Sequence, residues 1–318
     1  MDKRERVITA FHGGEVDHVP VCMWKHVPQS LWSDEDAFVK FQLDAIENTG
    51  VDFAKLSADG FFGWPSPVLK NIREAKELYD LKPLGADHPY IRGQIGRVKK
   101  IVQGLKGEKA ALYLLFAPLS YLRLQVGYPA MMRLMREDPE AMKYACDVIA
   151  GDVNVLSDGI IREAGADGIF YSVQNGEENR FTFEEYRDWV TPSDQKVLKH
   201  INQLSDMNAI HFCAWEEIPN RLSVWEDYQA PVISWSRYID ILDIREAQRH
   251  FGCTVWGGFD NRSGSLLYTA DREDVEAETR RMILEGGKKG FILGADCSLH
   301  DELSEERIRW VAEEAHRV

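Results

Sequence analysis

The chain has 318 residues, of which 44% are hydrophobic, and its formal net charge is −14 at pH 7. This length suits a single α/β barrel with a substantial core. The excess of acidic residues argues against a polyanionic partner, so we expect neither nucleic acid nor a membrane to bind. Residues 1–6 are charged with no apolar stretch after them, and the five cysteines are scattered. These features predict a cytoplasmic protein with reduced thiols and no signal peptide.

Eight apolar or β-branched runs predict the strands of the fold. In chain order they cover residues 16–24, 51–57, 111–117, 168–173, 209–214, 231–235, 253–259 and 290–295. Helical patterns separate most of these runs and predict helices at residues 34–48, 139–163, 183–207, 239–250, 272–285 and 305–317. Asp138 before Pro139 is a typical helix start, as is Thr182 with Glu185 three residues later.

The segment 61–106 interrupts this alternation of strand and helix. It contains four prolines, at positions 65, 67, 83 and 89, and we predict that it is an inserted loop and hairpin. No stretch rich in proline, glycine or serine divides the chain elsewhere. We therefore predict one domain that spans residues 1–318.

Strands that alternate with helices favour a parallel sheet, and eight of them predict a closed (β/α)₈ TIM barrel. An open doubly wound sheet is the alternative, but no Gly-x-Gly-x-x-Gly motif follows an early strand. Active sites of barrels lie at the carboxyl ends of the strands. The residues near those ends are the candidate site residues: Trp24, Lys25, His26, Ser57, Asp59, Tyr171, Gln174, Asn175, His211, Cys213, Trp235, Asp260, Asn261 and Cys297.

Three of these residues have the composition of a metal site. His211 and Cys213 are two positions apart on one predicted strand, so their side chains face the same side. Cys297 closes the last apolar run and supplies a distant thiol. Two thiolates and one imidazole suit zinc with an open fourth position. A thiol that binds there would lose its proton and remain a nucleophile, which indicates alkyl-transfer chemistry.

Several stretches of the chain carry a family resemblance. They are residues 4–11, Val16-Asp-His-Val-Pro-Val21, Gly165-Ala-Asp-Gly168, His211-Phe-Cys213, Gly257-Gly-Phe-Asp-Asn261 and Gly290-Phe-Ile-Leu-Gly-Ala-Asp-Cys297. In these stretches the chain resembles the uroporphyrinogen decarboxylase superfamily. That resemblance implies a (β/α)₈ barrel. It also implies one of two activities, a metal-free decarboxylase or a zinc-dependent methyltransferase that works with a corrinoid.

Two details separate these branches of the superfamily. The decarboxylases carry an arginine-rich segment after the first strand, where this chain has Met23-Trp-Lys-His-Val-Pro-Gln29. One lysine and no arginine are too few cations for a substrate with many carboxylates. The zinc methyltransferases use His-x-Cys and a distant Cys, so the resemblance implies Zn²⁺ at His211, Cys213 and Cys297. The chain departs from the family pattern at Ala214, where Gly is usual, and at Ala295-Asp296, where Pro-Gly is usual.

The resemblance also implies partners and roles. A methyl group would move between a small molecule, such as a thiol, ether or amine, and a corrinoid such as methylcobalamin. The chain has no Asp-x-His-x-x-Gly motif, so the corrinoid would be carried by a partner protein. A homodimer is expected by analogy. Asp59 and Tyr171 match positions with catalytic or substrate-facing roles, and the residues expected to bind substrate are Trp24, His26, Gln174, Asn175, Trp235, Asp260 and Asn261.

Two other functions stay open at this point. A metal-free decarboxylase of a carboxylated substrate would use Asp59. A non-catalytic module that binds a corrinoid or a pterin is the third hypothesis, because Ala214 and Asp296 lie beside the predicted ligands.

Overall fold

The centre of the molecule is a parallel sheet of seven strands that follow one another in chain order. The computed structural model describes residues 1–318. Its strands are β1 (Ala54–Leu56), β2 (Ala111–Phe116), β3 (Gly168–Val173), β4 (Ala209–Phe212), β5 (Val232–Trp235), β6 (Thr254–Phe259) and β7 (Phe291–Ala295). Every neighbouring pair is parallel, so all seven carboxyl ends lie at one edge of the sheet.

The segment around Val21 lies between the two outer strands of this curled sheet. Leu293 donates its N–H to the carbonyl of Pro20 (2.9 Å), and Asp52, just before β1, donates to the carbonyl of Val21 (2.8 Å). The pairing amounts to an isolated bridge between Val21 and Leu293. The predicted strand 16–24 is therefore absent, and the prediction of a closed eight-stranded barrel is wrong in this respect. Pro20 has no N–H to extend the ladder, which keeps the pairing short.

Fourteen α-helices follow or precede these strands. They are α1 (Lys3–Phe11), α2 (Glu35–Thr49), α3 (Pro67–Asn71), α4 (Pro89–Gly104), α5 (Pro118–Val126), α6 (Tyr128–Glu137), α7 (Pro139–Asp158), α8 (Phe183–Trp189), α9 (Thr191–Leu204), α10 (Arg237–Asp240), α11 (Ile244–Phe251), α12 (Leu266–Thr269), α13 (Arg272–Gly286) and α14 (Glu305–Ala315).

The predicted helix starts at Asp138 and Thr182 are both present. The Asp138 side chain accepts the N–H of Ala141, and Thr182 forms a reciprocal capping box with Glu185. The helix predicted at 183–207 is divided into α8 and α9 at Val190. A proline near the start of α9 explains the break, since proline cannot donate the hydrogen bond that would continue α8.

The predicted hairpin in segment 61–106 is also wrong, because this segment contains no strand. It holds α3, a 3₁₀-helix at Ala75–Asp80 and the long helix α4. One face of α4 buries Ile91, Ile95, Val98 and Ile101 at helical spacing. Packing of that apolar face outweighs Gly93 and Gly96 in the interior of the helix. The extent of the single domain, residues 1–318, stays a prediction.

The buried apolar side chains form one cluster of 93 residues. Inside the sheet, Trp24, Phe170 and Trp256 meet edge to face, with ring centroids 5.2, 5.2 and 5.1 Å apart. These rings form part of the apolar interior of the curled sheet. No helix combines the length and the apolar character that a bilayer crossing requires.

Candidate metal centre and chamber

Three potential metal ligands converge at the carboxyl edge of the sheet. His211 lies in β4, Cys213 follows that strand directly, and Cys297 lies two residues after β7. One ligand atom from each residue lies within 4.8 Å of the other two. Phe212 packs on the opposite face against Trp225, with ring centroids 4.5 Å apart. The alternation of strand side chains therefore places His211 and Cys213 together on the inner face.

The imidazole of His211 is held in one orientation. Its Nδ1 lies 3.0 Å from the hydroxyl of Ser234, which is its register partner on β5, and its ring stacks on Phe170. Its Nε2 is buried and has no hydrogen-bond partner. A proton on Nδ1, donated to Ser234, leaves the Nε2 lone pair available. Buried polar atoms are rarely left unpartnered, and a metal ion would satisfy this one.

The two thiols lie close together at the carboxyl edge of the sheet. The adjacent Cys297 and burial raise the pKa of Cys213 well above its ordinary value. The adjacent Cys213 and the neighbouring His211 lower the pKa of Cys297 well below its ordinary value, although burial opposes this shift. Two sulfurs and an imidazole nitrogen are the donor set of zinc sites with an open fourth position, so these residues fit a zinc ion.

The two positions that depart from the family pattern are both tied to the scaffold. The N–H of Ala214 donates to the hydroxyl of Ser236 (3.3 Å). Asp296 is buried, and its carboxyl accepts the N–H of Tyr238 (2.8 Å). These contacts fix the loops on either side of the ligands. The side chain of Asp296 is used within the scaffold rather than at the ligand atoms.

The ligands open onto a chamber of about 540 Å³. Small-molecule sites commonly have volumes of roughly 300–1,000 Å³. Its apolar wall consists of Trp24, Phe62, Leu114, Phe116, Leu124, Phe170, Trp215 and Ile239. Its polar lining consists of Ser172, Gln174, Ser236, Asn261 and Ser298, and its further ionisable side chains are His26, Lys55, Glu216, Glu217, Arg262 and His300. A small molecule with an apolar body fits beside the three ligands.

The family assignment comes from the sequence. The model of the family described as uroporphyrinogen decarboxylase (URO-D) matches residues 63–318. The chain belongs to the uroporphyrinogen decarboxylase family. No functionally curated protein matches the chain in sequence at a significant level.

Solved structures support the same architecture. A "methyltransferase from Methanosarcina mazei" superposes with a TM-score of 0.79 at 15% identity and covers 100% of this chain and 99% of its own. A "B12-independent methionine synthase from Shewanella sp. W3-18-1", in complex with selenomethionine, superposes with a TM-score of 0.55 at 14% identity. That match covers 94% of this chain and 92% of the other. At such identities the likeness establishes a TIM-barrel-like fold.

Four residues that the sequence predicted to bind substrate do line the chamber, namely Trp24, His26, Gln174 and Asn261. Trp24 Nε1 donates to the hydroxyl of Ser298 (2.7 Å), and Asn261 donates to the carbonyl of the same residue (3.3 Å). Gln174 Nε2 lies 3.7 Å from the sulfur of Cys213. Their substrate contacts stay a prediction, but all four have access to a bound molecule.

Asp59 lies behind His26 rather than in the chamber wall. Its carboxyl is 3.0 Å from His26 Nδ1 and accepts the N–H of Val27 (2.7 Å) and the hydroxyl of Ser57 (2.5 Å). Burial alone would raise the pKa of Asp59, but these hydrogen bonds and the nearby His26 lower it. A carboxylate so fully engaged is suited to hold His26 in place. The predicted catalytic role therefore has no chamber contact to support it.

Tyr171 and Trp235 point away from the chamber, so their predicted catalytic and substrate-binding roles gain no support and stay predictions. The Tyr171 hydroxyl points at the carbonyl of Asp194 (3.4 Å), and Trp235 Nε1 donates to the carbonyl of Leu242 (2.9 Å). Both rings are fully buried and do not line the chamber. Successive side chains on a strand point to opposite faces, and Tyr171 and Trp235 each lie next to residues that face inward. Both rings therefore point to the outer face of the sheet.

Asn175 and Asp260 also lie outside the chamber lining, and their predicted roles in substrate binding stay predictions. Asn175 is buried and accepts a hydrogen bond from Arg123 (3.0 Å). Asp260 forms an ion pair (2.6 Å) with Arg262, whose side chain does line the chamber. Both residues support neighbouring side chains and make no direct contact with the chamber.

Sequence reasoning missed two residues that matter here, Ser234 and Lys55. Nothing local marks Ser234, since its importance depends on the register between β4 and β5. Lys55 did carry a signal, because it is a lone charge inside the apolar segment that forms β1. Lysine is rarely buried without a reason, so such a residue indicates a site.

Proposed function

We propose that the chain is a zinc-dependent methyltransferase that moves a methyl group between a corrinoid, carried by a partner protein, and a small molecule such as a thiol, ether or amine. The observation that carries this proposal is the convergence of His211, Cys213 and Cys297. The unpartnered Nε2 of His211 marks the ligand position. The chamber beside it provides the space for a substrate.

The residues of this chain would hold and orient the reactants. His211, Cys213 and Cys297 would bind the metal, and Ser234 would keep the His211 nitrogen directed at it. Zinc held there would lower the pKa of a thiol at its open position and so supply a nucleophilic sulfur at neutral pH. The rings of Trp24 and Phe170 would keep water from the methyl group during transfer.

The overall transfer balances without a further reactant. With a thiol acceptor, a sulfur–carbon bond forms and the cobalt–carbon bond breaks. The electron pair of that bond stays on cobalt, and the thiol proton passes to solvent. A corrinoid is larger than the chamber, so it would dock across the mouth, and the small molecule would lie inside. Ethers and amines would use the same arrangement in the opposite direction.

Support for methyl chemistry and for the corrinoid differs in strength. Both similar structures are named as proteins of methyl metabolism, a methyltransferase and a methionine synthase. The second is named as B12-independent, so its similarity supports methyl chemistry but does not support the use of a corrinoid. The proposal of a corrinoid partner rests on the family resemblance at the three ligands.

The direct test is methyl transfer by the purified, zinc-loaded chain. Free methylcobalamin stands in for the protein-bound corrinoid, with a panel of small thiols as acceptors. Reduced cobalamin with aromatic methyl ethers and methylated amines tests the reverse direction. We expect a change in cobalt absorbance in at least one arm, and its loss in Cys297→Ser but not in Cys253→Ser. The absence of transfer in every arm, with zinc bound, would reject the proposal.

The decarboxylase alternative has little support from the chamber. A porphyrinogen with many carboxylates requires several cations, and among the basic side chains of the lining only Lys55 is buried. Release of carbon dioxide by the metal-free protein would favour this alternative. Methyl turnover of any kind would eliminate the non-catalytic module.

A further inference from the structure

Lys55 is a buried cation in the chamber wall for which the proposed methyl transfer gives no role. It lies in β1, its side chain is 5% exposed, and its ammonium lies 4.9 Å from the ring centroid of Trp24 and 5.5 Å from that of Phe170. The other ionisable side chains of the lining, apart from the metal ligands, are more exposed. His26, for example, is 52% exposed and Glu217 is 63% exposed. Lys55 is therefore the one charge deep in the chamber.

The ammonium of Lys55 has no ion-pair or hydrogen-bond partner. Among the charged groups that act on it, Asp59 has the largest effect, but that carboxylate already binds His26, Ser57 and Val27. Two aromatic faces stabilise a cation only to a limited extent. A buried charge without a counter-ion is costly, and such positions in proteins are commonly sites for a charged ligand.

We propose that Lys55 binds an anionic oxygen of the small-molecule substrate, a carboxylate or a phenolate, and so selects substrates with a flat apolar body and one negative charge. This inference rests on the proposed function for the site, since it names the class of small molecule that the chamber accepts. The aromatic wall would hold the body of the substrate. Lys55 would hold the anion, with the methyl-bearing group directed toward the three ligands.

The electrostatics of Lys55 agree with an anion at this position. Burial lowers its pKa to about 8, against the opposing influence of Asp59 and the thiols. An anion in contact with the ammonium would favour the charged form and offset the burial. An ammonium that binds a rigid anion without competition from water also makes a strong hydrogen bond.

Binding of matched probes tests the proposal without requiring any turnover. The probes are 4-methoxybenzoate against its neutral isostere 4-methoxybenzamide, and 4-nitrophenolate against 4-nitroanisole, each measured by calorimetry on the zinc-loaded chain. We expect the chain to bind at least one anion about tenfold more tightly than its neutral partner. The pair that shows the preference identifies the source of the anionic oxygen. Equal affinities within both pairs, or no binding of either anion, would overturn the proposal.

Substitution of Lys55 gives the second test. Lys55→Met should lose the preference for the anion, with the affinity for the neutral probe changed less than about threefold. It should also unfold at a higher temperature than the wild type, because an unpaired buried charge has been removed. A lower unfolding temperature with the anion preference intact would show that Lys55 is a structural cation.

Lys109 offers a matched control for this substitution. It is also buried, but its ammonium donates to the carbonyl of Ile46 (3.0 Å) outside the chamber. Lys109→Met should lower stability and leave the anion preference unchanged. Zinc content and methyl transfer, measured on the same samples, separate the two proposals. An anion preference without methyl transfer would reject the proposed function alone, and transfer without the preference would reject this inference alone.

Discussion

Two clusters of potential metal ligands lie at opposite ends of the sheet. At the carboxyl edge, His211, Cys213 and Cys297 face a chamber. At the amino edge, His18, Asp52 and His316 have ligand atoms at a comparable spacing. The residue types and distances alone would make both clusters metal sites. What differs is whether the ligand atoms are free.

The carboxylate of the second cluster is already occupied. Asp52 accepts Arg6 Nη1 (2.9 Å) on one oxygen and the N–H of Val21 (2.8 Å) on the other. The imidazoles of His18 and His316 approach the same oxygens at 3.9 and 3.5 Å. The positive charge of Arg6 repels a metal ion, and its guanidinium already binds a carboxylate oxygen that a metal would need. The second cluster is therefore a structural network that ties the chain termini to β1, whereas the first keeps the unpartnered Nε2 of His211 and faces the chamber.

The largest expected effect distinguishes the clusters by metal content. The wild type should retain about one zinc ion per chain after dialysis against a weak chelator, and His211→Ala, Cys213→Ser or Cys297→Ser should retain less than about a tenth of that amount. Atomic absorption measures this directly. His316→Ala and Cys253→Ser are the controls and should keep full zinc. Metal loss from His316→Ala would reverse our assignment of the two clusters.

The next effect concerns stability at the amino edge. Arg6→Leu leaves the fully buried Asp52 without its cation and should cost about 3–5 kcal/mol of the free energy of unfolding at pH 7. Urea unfolding measures the cost, and zinc content should not change. A cost near zero would mean that Arg6 and Asp52 do not act as a pair.

Lowering the pH should reduce the difference in the free energy of unfolding between Arg6→Leu and the wild type. Burial would raise the pKa of Asp52, but the nearby imidazoles of His18 and His316 and the N–H of Val21 lower it overall, and Arg6 lowers the pKa of Asp17. Carboxyls with lowered pKa values stabilise the fold above the pKa of the unfolded state, roughly 3.9, and lose that contribution as the pH falls through the folded-state pKa. Unfolding measured between pH 7 and 3 should therefore show a steeper loss below pH ~4 for the wild type. If the free energy of unfolding fell equally with pH in both proteins, Arg6 would not act through these carboxylates.

A smaller effect tests the support of the metal ligand. Ser234→Ala removes the acceptor for His211 Nδ1 and should weaken zinc binding by roughly 10–100-fold, as loss of such outer partners commonly does. Competition with a chromogenic chelator gives the affinity. Ser172→Ala is the matched control, because Ser172 lies beside His211 in register but does not hydrogen-bond to it. Equal zinc affinities in the two variants would show that Ser234 does not support the metal ligand His211.

The smallest effect concerns the outward face of β3. Tyr171→Phe removes a long hydrogen bond to the carbonyl of Asp194, so stability should change by about 1 kcal/mol or less. Zinc content and methyl transfer should stay at wild-type levels. A large fall in methyl transfer by Tyr171→Phe, with unchanged stability, would support the catalytic role that the sequence predicted for Tyr171.

The local sequence predicted the strands well but not the closure of the sheet. β3 begins and ends at the predicted residues, because its apolar run has clear boundaries. The segment 16–24 is less uniform, since it contains Asp17, His18 and Pro20, and its pairing amounts to an isolated bridge. Helix α4 was missed because the prolines of 61–106 favoured a loop, although Ile91, Ile95 and Val98 follow a helical period.

The sequence predicted those parts of the candidate site that depend on local spacing, but not those that depend on how the strands pair. His211 and Cys213 could be placed together because two residues of one strand share a face regardless of register. The face of Tyr171 could not be known, since every residue of β3 is buried and most are apolar, so no clear alternation marks the inner side. Ser234 became visible only once the register between β4 and β5 placed it beside His211. The lone charge of Lys55 within an apolar segment indicated a site, but only the fold shows that it lines the chamber.

X-ray absorption at the zinc edge of the purified chain is the most direct test of the central claim. We predict a first shell with two sulfur atoms at about 2.3 Å and nitrogen or oxygen atoms at about 2.0–2.1 Å, with one sulfur lost in Cys297→Ser. A shell of nitrogen and oxygen alone, or a shell unchanged in Cys297→Ser, would contradict a zinc site built from His211, Cys213 and Cys297.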